Sequence, residues 1–205
     1  MIDATTLGLF SLACLALLLS PGPNLLFVLG HGTTYGFKAA FAASLGIFCT
    51  DLILTAITAL GLSAAVSSWP PTLLLLRYGG ASYLAYLAYR TWQQPLIFSH
   101  NGPVTPSTPL IFSRALGNSL LNPKALIFFM LFLPQFVHAE NGPVPTQLWL
   151  LGLTLSAFSI VVNSSLGALA ASVQRYCLRH PQFAIWQTKG LAVLLGLLAL
   201  RLLIT

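Results

Sequence analysis

Long apolar runs separated by short polar breaks dominate the chain, on the length scale of a bilayer. Six stretches, about 5–30, 39–66, 73–92, 110–137, 147–173 and 187–204, are apolar over enough residues to be predicted as membrane-crossing helices; a helix needs about 20 residues to cross the hydrocarbon. The intervening segments 31–38, 67–72, 93–109, 138–146 and 174–186 are polar or rich in glycine and proline, and are predicted as loops. Trp69, Trp92, Trp149 and Trp186 all fall at predicted span ends, where an amphipathic ring suits the headgroup layer.

Two of the runs carry breaks where an uninterrupted helix would need none. Ser20-Pro21-Gly22-Pro23-Asn24 lies well inside the first, and Asn122-Pro123-Lys124 well inside the fourth. Each proline lacks an N–H and clashes with the preceding turn, and glycine adds backbone freedom. In hydrocarbon, the freed backbone groups must be met by protein or by a wet cavity. A packing kink is the plainer reading of the first break taken alone. The second, in the corresponding span, favours paired broken helices.

Composition agrees with the pattern. Of 205 residues 57% are hydrophobic and 6% charged, with mean hydropathy +0.86, whereas a soluble domain carries about 25% charged residues. The expectation is a single all-α integral membrane domain over 1–205. The formal charge of +6 could point to nucleic acid, but the basic residues are scattered among the spans and form no run; no nucleic-acid partner is expected, and they are better read as topology determinants. Lys38, Arg90, Arg114, Arg175, Arg179 and Lys189 lie at the first, third and fifth connections, while Arg77 and Arg201 lie toward the other face. This places the odd connections in the cytoplasm and both termini in the periplasm. With Asp3 and no basic n-region before it, the first run is expected to be a span and not a cleaved signal peptide.

Three spans on each side of the long loop suggest a repeat, about 1–95 and 108–205. Three is odd, so the second half must insert upside down. The predicted fold is six transmembrane helices as two inverted three-helix repeats, with helices 1 and 4 broken near the midplane. Such an arrangement points to a secondary transporter.

Candidate chemistry gathers at the breaks. Pro23 and Pro123 can each occupy the first position of a restarted half-helix, whose N-terminal N–H groups and dipole suit a carboxylate. Pro21, Gly22, Pro23, Asn24, Asn118, Asn122, Pro123 and Lys124 are therefore the candidate substrate-binding residues; the asparagines could instead satisfy only the broken backbone. Asp51 is the one acid deep in a span, and an intramembrane acid is a functional candidate by default. It can alternate between protonated and ionised forms and so carry a proton; a structural hydrogen bond or a fixed ion pair is the alternative. Three roles fit Lys124: neutralising Asp51, holding a substrate carboxylate, or snorkelling along the wall. Asn163 is the positional counterpart of Asp51, more simply read as a helix–helix hydrogen-bonding residue.

Other residues fit plainer roles. Tyr83, Tyr86 and Tyr89 form a stripe more often used for packing, and Gly79, Gly80, Gly152 and Ser156 permit close approach within or between chains, so a homo-oligomer is compatible. His31, His100, His138 and His180 read as surface residues without metal-ligand spacing. Cys14, Cys49 and Cys177 are isolated small hydrophobes. No nucleophile elbow, phosphate loop or carboxylate pair is present, so no enzyme activity, cofactor or metal is expected.

In order and spacing, Ser20-Pro21-Gly22-Pro23-Asn24, Asp51, Arg77-Tyr78-Gly79-Gly80-Ala81-Ser82-Tyr83-Leu84, Asn118 to Lys124 and Pro134-Gln135-Phe136 resemble the LysE/RhtB family of amino-acid exporters. The resemblance covers essentially the whole chain. It implies export of amino acids across the bacterial inner membrane, driven by protons without ATP, with functional positions at Pro21, Pro23, Asp51, Asn122 and Pro123. A cationic substrate would want more than one buried acid, so neutral amino acids or their derivatives are expected. The competing classes are an exporter of metal ions or other small solutes and a non-transporting scaffold.

Overall fold

The computed structural model describes residues 2–68, 71–93, 106–179 and 181–204. Among them the chain is helical: α1 (Ala4–Leu19), α2 (Pro23–Tyr35), α3 (Phe37–Ser68), α4 (Thr72–Gln93), α5 (Thr108–Leu120), α6 (Pro123–Ile127), α7 (Val144–Ala168), α8 (Ala170–Arg179) and α9 (Pro181–Ile204). After α6 the helix widens into a π segment, Phe128–Phe132, and then tightens into a 3₁₀ turn, Leu133–Phe136. Trp69, His100, His180 and most of the expected loop 93–109 lie outside the described residues.

By length and composition, Phe37–Gly61 and Val144–Ala168 are each sufficient to cross a membrane. Two helix pairs also qualify if each is one bent span: α1 with α2, bent by 58°, and α5 with Lys124–Phe136, bent by 55°. The two expected broken helices are thus present as sharp bends at the expected places.

Asp3 starts α1 as an N-cap. Its carboxylate accepts from the Thr6 backbone N–H at 2.8 Å and from Thr6 Oγ1 at 2.7 Å, and the backbone bond first, then the hydroxyl, holds its pKa below the ordinary carboxylate range. The short loop expected at 31–38 is nearly absent. α2 runs on to Tyr35, and Gly36 alone, at φ 79°, turns the chain into α3; that left-handed conformation costs glycine little. The loop expected at 174–186 is also largely helical, with α8 reaching Arg179 and α9 starting at Pro181. Its low hydropathy misled because α8 shows its polar residues, Ser172, Arg175 and Arg179 among them, on an exposed face. The fifth run stops at Ala168 rather than near 173, ended by Leu169.

α3 is the central element, packing extensively on α7 and α5, while α4 packs on α9. Helices pack most closely where small residues let backbones meet. A Cβ at Gly46 would strike the Phe112 carbonyl and Ala115 of α5, and one at Gly152 would strike the Thr55 side chain. Thr55 cannot easily yield, because its hydroxyl donates to the Asp51 carbonyl at 2.7 Å. Gly152→Ala is therefore expected to push α7 off α3 and to cost about 1–3 kcal/mol, the usual penalty of overpacking. A lower Tm for the purified variant in detergent would show it; an unchanged Tm would mean that the α3–α7 seam is looser than the geometry indicates.

The largest apolar cluster joins α1, the α6–π segment, α7 and α9 through Phe10, Phe128, Phe129, Phe132, Leu148 and Leu195. Aromatic edges knit it together, with Phe10 and Phe132 each 5.1 Å from Phe136 between ring centroids. This packing holds the segment after the second break against the middle of α1.

Candidate functional site

The two breaks, about a hundred residues apart in sequence, touch. At the first, Ser20 leaves α1 in extended conformation and Gly22 precedes α2 without offering a side-chain cap. At the second, Asn122 is the N-cap of α6, its Oδ1 accepting from the Lys124 backbone N–H at 3.0 Å. Pro23 and Pro123 each take the first position of the restarted helix, as expected. The two N-termini are not equivalent: α6 is capped by its own asparagine, whereas α2 has no side-chain cap. Of the two, the α6 N-terminus alone has one of its N–H groups met by a capping side chain.

Lys124 bridges the breaks. Its Nζ donates to the Leu17 carbonyl at 2.7 Å, to the Ser20 carbonyl at 2.9 Å and to the Ser20 hydroxyl. These acceptors lie at the C-terminal end of α1, where the helix dipole also favours a cation. The lysine stem lies on Gly22, where a Cβ would sit 3.2 Å from Lys124 Cδ. A second bridge runs beside it: Asn24 Nδ2 donates to Ser119 Oγ at 2.8 Å, and Asn118 Nδ2 donates to Asn24 Oδ1 at 3.2 Å.

Asp51, 5% exposed, lies in the middle of α3. No ion pair joins it to Lys124, which is committed to α1. Ser159 of α7 is a side-chain neighbour of the Asp51 carboxyl, and the Ser159 Oγ accepts from Asn163 Nδ2 at 3.2 Å. Asn163 therefore bonds within its own helix and feeds the Asp51 neighbourhood, instead of making the helix–helix bond expected of it. His31 departs further from expectation: it is buried, its Nδ1 lies 2.8 Å from the Phe27 carbonyl, and its ring stacks on Phe27 at 4.2 Å.

These groups surround an inner cavity of about 490 Å³ of empty space, mouth included. Asp51, Ser159, Asn163, Asn122, Lys124 and Asn24 supply polar groups, and Leu25, Ile47, Phe128 and Leu155 supply apolar wall. Gly22 also lines it, while Pro21 and Pro23 face a second cavity and Asn118 is linked through Asn24. In the sequence Ser20 and Ser119 stand out only as members of the stretches around the two breaks, and Ser159 does not stand out. Ser20 and Ser119 flank the two breaks, and Ser159 precedes Asn163 by one helical turn, so proximity to the chosen residues was the only available clue. A cavity with one acid, one cation and several amides fits a small zwitterion.

Membrane-length apolar helices, with two sharply bent pairs meeting at a polar interior cavity, define a multi-pass membrane protein of the transporter type. The model for the LysE type translocator matches residues 15–205, and the chain belongs to the LysE family. It is 33% identical over 163 residues to the leucine efflux protein of Enterobacter sp. (strain 638), covering 78% of this chain and 77% of that one. It is also 33% identical over 162 residues to the leucine efflux protein of Salmonella choleraesuis (strain SC-B67), covering 78% and 76%. No solved structure is a significant match to the chain.

Proposed function

We propose that this protein exports neutral amino acids, those of leucine type foremost, across a bacterial inner membrane in exchange for protons. The observation that carries the reading is the meeting of the two breaks beside a cavity holding both Asp51 and Lys124. The leucine efflux relatives supply the substrate class. The uncapped end of α2 and Lys124 would receive the carboxylate, Asn24 and Asn122 the remaining polar atoms, and the apolar wall the side chain. Asp51 would carry the proton.

The mechanism is alternating access by two inverted three-helix repeats: α1–α2, α3 and α4 against α5–α6, α7–α8 and α9. In this reading α4 and α9 are the third and sixth spans and both termini are periplasmic. The extensive packing of α3 on α7 and of α4 on α9 supports this reading, because it brings together helices that correspond in the two halves. Lys189 Nζ lies 5.0 Å over the Trp92 ring, bringing basic ends of α4 and α9 to one face. A proton or substrate moves such a system only by binding its two states unequally.

The test is uptake of a panel of labelled amino acids into inverted membrane vesicles, with and without an imposed proton gradient. Gradient-dependent accumulation of leucine or another neutral amino acid is expected. Flux of none of the panel would overturn the proposal, and gradient-independent flux would remove its proton half.

A further inference from the structure

Beside the inner cavity lies a larger one, about 910 Å³ of empty space with its mouth included, between the first break and the C-terminal half of α4. Gly22, Asn122 and Lys124 line both, so the Lys124 side chain and its two neighbours form the partition. On the far side of that partition stand Tyr83, Tyr86, Leu87, Arg90 and Thr91. We propose that this outer vestibule is a second amino-acid site, on the cytoplasmic side, that captures substrate before it passes Lys124. The proposal rests on the export reading above and extends it to a residue set that the breaks do not contain.

Three observations support it. First, the described lining carries two cations, Arg90 and Lys124, and no acid, so the vestibule suits a carboxylate. Arg90 is exposed, has no ion pair among the described residues, and lies 6.0 Å from the Tyr86 ring centroid. It is therefore held near the wall with its fork of donors available. Second, Thr91 is 2% exposed, yet its Oγ1 has no hydrogen-bond partner. A threonine inside a helix can bond back to the carbonyl four residues earlier, as Thr50, Thr55 and Thr154 do here. A buried hydroxyl without a partner is costly, and such groups in a native fold call for an explanation; an ammonium or another polar ligand atom would supply the partner. Third, Tyr83, Leu87 and Ile127 add apolar surface for a side chain. Arg90 and Thr91 lie within the last turn of α4 and the break lies at the other end of the vestibule, so the cavity leads from the predicted cytoplasmic face to the partition. Arg90 and Lys124 line the same cavity, so a carboxylate held first by Arg90 has Lys124 as its next cation.

The test measures the half-saturation concentration and maximal rate of labelled leucine uptake into inverted vesicles, which present the cytoplasmic face to the medium. Arg90→Gln is expected to raise half-saturation by about tenfold, the scale of one hydrogen bond to a charged group, with the maximal rate largely kept. Arg90→Lys should recover much of the loss. Thr91→Val, which keeps the shape and deletes the hydroxyl, should also raise half-saturation. A merely structural Thr91 would instead give a valine variant with unchanged half-saturation and equal or higher Tm. If wild type transports but half-saturation is unchanged in both Arg90→Gln and Thr91→Val, or only the maximal rate falls, the vestibule site is overturned and the export reading stands. If wild type transports no amino acid, both fall.

Discussion

Asp51→Asn is expected to abolish uphill transport while leaving a folded protein that still exchanges substrate across the membrane. Asparagine keeps the shape of the side chain and one acceptor oxygen, but it has no proton to release. Asp51 is the one carboxyl among the described cavity residues, and Lys124 does not pair with it, so no fixed ion pair locks its charge. In inverted vesicles the variant should bring labelled substrate only to equal concentrations on both sides, with or without a proton gradient. Counterflow of labelled against unlabelled substrate should persist. Accumulation at the wild-type level would remove Asp51 from coupling. Loss of counterflow with a wild-type Tm would make Asp51 a substrate ligand instead.

The second large effect is expected at Lys124, and it should look different. Lys124→Met keeps much of the apolar stem and removes every bond from Nζ to Leu17 and Ser20. The carbonyls at the end of α1 then lose a charged donor in a buried setting, at a cost of about 2–3 kcal/mol. Both readouts should fall: Tm in detergent, and exchange as well as uphill transport. Lys124→Arg should rescue poorly, because the side chain lies directly on the Gly22 backbone and a planar guanidinium is wider than an ammonium. A Lys124→Met protein with wild-type Tm would show that the bridge contributes little to holding the breaks together.

How much of this was legible in the sequence divides along a physical line. The bends were legible because Pro21-Gly22-Pro23 and Asn122-Pro123 break a helix by local chain chemistry alone. Asp51 was legible because an acid in an apolar run has few innocent explanations. The partners of Lys124 were not: Ser20 lies 104 residues away, and only the packed fold brings a lysine to the exposed carbonyls of another helix. The asymmetry between the two restarted helices depended on which way the Asn122 side chain turns, which composition does not encode. Segment 174–186 read as loop because hydropathy averages over both faces of a helix, and α8 has one polar face. Arg90 was read only as a charge that orients the chain, and Tyr83 and Tyr86 as packing. Their place beside a cavity follows from how α4 faces the first break.

An ammonium group has three N–H bonds, and Lys124 Nζ already has three acceptors: two carbonyls and a hydroxyl, all on the end of α1. Its valence is full. A carboxylate arriving at this atom cannot simply be added; it must compete with α1 and take at least one of those bonds. Occupancy of the site and attachment of the end of α1 to the second break are then two uses of one atom, and each is gained at the expense of the other.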